Sequence, residues 1–121
     1  MRYDAPMQTP DSVILCLVRD LLFYSKIRAA AAAAGVSIQS VRDPSKLTEQ
    51  TGMGLIVDLN QEQALDAAIA WRNRTGRSVV GFVSHVDTPT IDAARAAGIN
   101  RVLARSQFDK NLFTILKEMV E

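Results

Sequence analysis

Short, nearly unbroken apolar runs alternate along the chain with longer stretches in which apolar residues recur every three or four positions. Runs of the first kind read as strands buried on both faces, and stretches of the second as helices with one inner face. Ser12 to Val18 is the first run. Leu21 to Ala34 reads as the first helix, closed by Gly35 where a left-handed cap is wanted. The consecutive alanines Ala29 to Ala34 combine high helix propensity with side chains small enough to lie close on a sheet. Val36 to Val41 alternates enough for a strand near a sheet edge. Asp43-Pro44-Ser45 then offers an N-cap with proline at the first helical position, for a short helix through about Gln50.

Leu55 to Asp58 is the third strand, followed by a helix over Gln61 to Arg74 whose inner face is Ala64, Leu65, Ala68, Ile69 and Trp71. Ser78 to Val83 is the fourth strand. Asp87 or Thr88 caps a helix running to Ala97 and ending at Gly98. Arg101 to Ala104 is the fifth strand, and a last helix from about Asp109 to Val120 turns Leu112, Ile115, Leu116 and Met119 inward. Strict alternation demands an α/β fold: a doubly wound five-stranded parallel sheet with right-handed crossovers and helices on both faces. The strand order expected is 2-1-3-4-5, the flavodoxin-like (βα)5 arrangement. Residues 12–121 form one domain, and Met1 to Asp11, with two prolines, is expected to be a flexible arm.

Composition narrows the classes of function. Of 121 residues, 48% are hydrophobic and 22% charged, ordinary for a globular domain. Fourteen basic residues against thirteen acidic ones leave a net charge near +1, which gives no electrostatic case for nucleic acid or an anionic membrane. No apolar run has the length of a membrane span or of a secretory signal, so a cytoplasmic location is the expectation. The single Cys16 lies within an apolar strand and reads as a buried thiol in a reducing compartment. A flavin phosphate would need a glycine- and hydroxyl-rich loop after the first strand; Arg19-Asp20-Leu21-Leu22-Phe23 supplies none.

Chemistry concentrates at the carboxyl edge of the expected sheet, where open α/β folds bind ligands. Four segments deliver Arg19 and Asp20, Asp58, Ser84 and His85, and Arg105 and Ser106 there. Each has a plain structural alternative. Asp58 and Asp20 are good helix caps, and Ser84 is a loop hydroxyl able to bond backbone. Ser84 and His85 leave their strand in different directions, which argues against a nucleophile–base pair, and His85 is left as a candidate pH-sensing or partner contact at the cleft mouth. Arg105 to Phe108 reads as a partner-contact corner or as a solvated turn with Phe108 tucked onto the last helix, and Trp71 as packing.

With these residues in place, the chain resembles a response-regulator receiver domain of the stand-alone kind over residues 12 to 120. The resemblance puts the phosphoacceptor position on Asp58 in LIVDLN, the acidic pair on Arg19-Asp20 in CLVRD, the hydroxyl on Ser84 in VVGFVSH and the lysine position on Arg105 in RVLARSQF. It implies a non-enzymatic signalling domain. Asp58 would accept a phosphoryl group from a histidine kinase, Asp20 and Asp58 would hold Mg²⁺, Ser84 and Arg105 would hold phosphoryl oxygens, and output would pass to another protein or a second copy. The sequence departs from the family pattern at Arg19, at Arg105, at Ser106 in place of a proline, at Val102 in place of an aromatic switch residue, and after Asp58, where Leu-Asn-Gln replaces a loop ending in Met-Pro. Arg19 and the lost Met-Pro loop motivate an alternative, a pseudo-receiver that docks or dimerises without phosphorylation and has Arg19 or Arg105 filling its pocket.

Overall fold

The computed structural model describes residues 12–84, 87–99 and 101–121. The expected arm and His85 lie outside them. Five strands form one parallel sheet in the order β2-β1-β3-β4-β5. They are β1 (Val13–Leu17), β2 (Ser37–Ser40), β3 (Gly54–Asp58), β4 (Ser78–Val83) and β5 (Arg101–Ala104). The helices are α1 (Leu21–Ala34), α2 (Ala64–Thr75), α3 (Thr88–Ala96), α4 (Arg105–Lys110) and α5 (Leu112–Met119), with a 3₁₀ helix, Pro44–Glu49, between β2 and β3.

Strand alternation sorts the core into two layers. Leu15, Leu17, Leu55, Val57 and Val79 face a layer completed by Leu47, Ala64, Ala68, Trp71 and Ala94. Ile14, Cys16, Ile56, Val80 and Phe82 face Phe23, Ile27, Phe108, Ile115 and Leu116 on the other side. Every residue of β1 is buried, as its unbroken apolar run requires. Each such side chain contributes about 1.5–3 kcal/mol on burial.

Local signals explain most element ends. Asp20 caps α1, its side chain accepting from the Phe23 amide at 3.1 Å, and Gly35 closes the helix at φ 72°. The alanine run divides between the two expected roles. Ala31 is buried alongside Phe23 and Ile27, with Ala30 and Ala34 partly buried against the same layer, while Ala29, Ala32 and Ala33 face solvent and contribute through helix propensity. Asp43 caps the 3₁₀ helix through the Ser45 amide at 3.0 Å, with Pro44 in the first turn. This helix is clamped to α2: Trp71 Nε1 donates to the Gln50 carbonyl at 3.0 Å, and Arg74 donates to the carbonyls of Leu47 and Gln50.

Two segments depart from the sequence-based expectation. α2 starts at Ala64 instead of Gln61, because Asn60 to Gln63 are used in turns: the Gln61 amide bonds the Asp58 carbonyl and the Ala64 amide bonds the Gln61 carbonyl. The last helix is two helices. α4 begins directly after β5, and Asn111, at φ −114° and ψ 19°, separates it from α5. Phe108 causes the early start. It is fully buried, its ring 5.0 Å from Phe82 and 5.9 Å from Phe23, so residues 105–110 are wound onto the sheet as a helix and not left as a solvated turn.

Candidate functional site

The parallel order puts the carboxyl ends of β1, β3, β4 and β5 along one edge. Asp58, the last residue of β3, is partly buried and aligned in register with Phe82 of β4. Its Oδ1 accepts from the Asn60 amide at 3.0 Å, an Asx-type turn that leads the chain away from the sheet. The side-chain oxygen of Asn60 in turn accepts from the amide of Ser84 at the end of β4. Asp58, Asn60 and Ser84 therefore form one chain of hydrogen bonds across two strand ends. Asn60 was not singled out from the sequence, although the Asp-x-Asn spacing is the signal of such a turn. Ser84 is exposed at this edge.

Leu59 supports the arrangement from below. Its amide donates to the Phe82 carbonyl at 2.9 Å, and its side chain fills the space left by the missing side chain of Gly81. The residue is 4% exposed, so the backbone beside Asp58 is pinned into the core.

On the other side of the edge, Asp20 and Arg105 meet. Arg105 Nη2 donates to Asp20 Oδ2 at 2.9 Å, with side chains 35% and 41% exposed. The guanidinium carbon also lies 4.1 Å from the centre of the Phe23 ring, a cation–π contact. Phe23 packs edge-on against Phe82, so the clasp stands on the aromatic cluster of the core. The planar guanidinium serves both contacts at once, which a compact ammonium would not. The Asp20 carboxyl titrates below the usual carboxylate range, first because of the Phe23 amide and then because of Arg105.

The structure brings Asp20, Asp58, Ser84 and Arg105 to one edge and pairs two of them. Among the two arginines expected to fill the pocket, Arg105 takes Asp20 as its carboxylate partner. Arg19 lines a separate cleft of about 380 Å³ together with Arg42, Asp43 and residues Gln61 to Gln63. Asp87, not Thr88, caps α3, through the Thr90 amide at 3.2 Å.

Receiver domains hold Mg²⁺ at this edge, and the residues present here do not fit that ion well. Asp20 stands next to Arg19, not a second acid, and its two oxygens are turned to the Phe23 amide and the Arg105 guanidinium. Among the described residues, no three His, Cys, Asp or Glu side chains are grouped so as to share a metal. Among the same residues, no helix is long and apolar enough to cross a membrane.

Comparison with solved structures gives many receiver folds. A response regulator receiver domain protein from Methanospirillum hungatei superposes with a TM-score of 0.78 at 10% identity, over 91% of this chain and 94% of that one. A response regulator from Hahella chejuensis gives 0.77 at 16% identity, over 91% and 96%. One from Thermotoga maritima gives 0.73 at 14% identity, over 91% and 98%. No protein-family model and no curated protein matches the sequence. The likeness is one of fold: this chain has the receiver architecture over nearly its whole length.

Proposed function

We propose that the chain is a receiver-fold signalling module that works by docking, with its former acceptor pocket held closed by the Arg105–Asp20 clasp. The carrying observation is that Arg105 bonds Asp20 at 2.9 Å while resting on Phe23. In a working receiver, the cation after β5 and the acid after β1 serve the phosphoryl group and Mg²⁺, since neutralising the transition-state charge is their task. Here they neutralise each other, giving the docking surface a single state without phosphorylation. The partner is an output protein, a kinase or a second copy of the chain.

The competing reading, Mg²⁺-dependent acceptance at Asp58, draws on the placement of Asp58 beside Ser84 through Asn60. The two separate on treatment with acetyl phosphate, or beryllofluoride, in millimolar Mg²⁺. The docking reading expects wild type and Asp58→Asn to behave alike in phosphate-affinity electrophoresis and in amide spectra. Modification of wild type with Asp58→Asn spared would overturn it and establish the acceptor.

A further inference from the structure

The cleft beside the clasp has features that neither the fold nor the docking reading uses. It opens between the chain leaving β1, the chain leaving β2 and the turn after β3, and shares no lining residue with the Arg105–Asp20 pair. Arg19 and Arg42 come into it from different segments, and neither has a hydrogen-bond or ion-pair partner among the described residues. Two guanidiniums without ion-pair partners repel each other unless an anion lies between them, and the carboxylates of the same lining, Asp43 and Glu62, make no ion pair with either.

A second observation is independent of the first. Gln61 Oε1 is buried and accepts no hydrogen bond. An orphaned buried acceptor costs about 1–3 kcal/mol unless a ligand or water donates to it. The residue is fixed through its backbone, the amide bonded to Asp58 and the carbonyl to Ala64. Gln63, at φ 68°, precedes α2 without giving it a side-chain cap. The helix thus leaves its positive end uncapped on the wall of the same cleft.

Donors and acceptor together specify the ligand. The guanidiniums call for an oxyanion, and bidentate geometry favours phosphate. The Gln61 oxygen calls for a hydroxyl proton on or beside it. Asp43 and Glu62 also line the cleft and offset the two arginines, so the lining suits one phosphate group and not a polyphosphate. The Asp43 carboxylate is already held by the Ser45 amide and hydroxyl, both at 3.0 Å.

We infer that this cleft binds a single phosphate group, as inorganic phosphate or a small hydroxylated phosphomonoester, between Arg19 and Arg42 with its hydroxyl donated to Gln61. The inference does not rest on the docking reading, because it uses no side-chain atom of Asp58, Asp20 or Arg105.

The test titrates the whole chain with inorganic phosphate, glycerol 3-phosphate and sulfate at constant ionic strength, followed by amide chemical shifts and calorimetry. At least one of the two phosphates should saturate, with shifts centred on residues 19, 42 and 61–66. Which of them binds more tightly identifies the source. Sulfate has no proton to give Gln61 and should bind about tenfold or more weakly. Arg19→Gln and Arg42→Gln should each weaken phosphate about tenfold. Gln61→Leu should weaken phosphate and leave sulfate unchanged. Absence of saturable binding, sulfate as tight as phosphate, or arginine variants that bind normally would each overturn the assignment. So would shifts centred on Ser84 and Arg105, which would place the anion in the receiver pocket instead.

Discussion

Gly81→Ala is a one-methyl change that tests how the loop at Asp58 is held. A Cβ added there would stand 2.6 Å from Leu59 Cδ1 and 2.9 Å from its Cγ. Leu59 cannot yield easily, since it is 4% exposed and its amide is tied to Phe82. Replacing a strand glycine by alanine ordinarily gains roughly 0.5–1 kcal/mol through chain entropy. Overpacking a closed core costs roughly 1–3 kcal/mol. The second effect wins, and the substitution should destabilise by about 0.5–2 kcal/mol. Leu59→Ala alone should cost about 2–5 kcal/mol by leaving a cavity. In the double variant the new methyl moves into the vacated space, so the two costs should fall short of additive by about 1 kcal/mol or more. Urea unfolding followed by the fluorescence of buried Trp71 measures all three, with the slope m unchanged. Amide exchange should also show Ser84 less protected in Gly81→Ala, because the Asn60 acceptor moves with Leu59. A neutral or stabilising Gly81→Ala, or strict additivity in the cycle, would refute the account.

Two further outcomes concern titration. Burial pushes the Cys16 thiol up to about 12, so the folded chain should react with thiol reagents at pH 8 only as fast as it opens. In the unfolded chain the thiol ionises near its ordinary value of 9.0, so this group's contribution falls as pH rises between the two values. Cys16→Ala should flatten that alkaline decline in urea midpoints. Asp20 has its pKa lowered on folding, so its contribution is complete above the unfolded value of 3.8 and is lost as pH falls through the lower folded one. Arg105→Gln removes the second of its two main causes, and should shift the acid limb to higher pH by less than Asp20→Asn alters it. An unchanged acid limb in both variants would show the clasp to be absent in solution.

The periodicities of the chain determined its architecture, because burial leaves few choices. Runs such as Val13 to Leu17 and Leu55 to Val57 can hide their apolar side chains only between two helical layers. Asp20, Gly35, Pro44 and Gly76 marked element ends because their own dihedral and capping preferences act over three or four residues. The arrival of Asp58, Asp20, Ser84 and Arg105 at one edge follows from parallel order alone. Tertiary packing decided the rest. Phe108 meets Phe23 and Phe82 only after the sheet has formed, and that contact turned an expected corner into a helix. Arg105 chose Asp20 because the Phe23 ring supports its guanidinium from below. Asn60 became visible as a site residue only when β3 and β4 lay side by side, and Gln61 only when the turn after β3 met the chains leaving β1 and β2. Side-chain partners across 24 or 85 positions depend on three-dimensional distance, which periodicity along the chain does not encode.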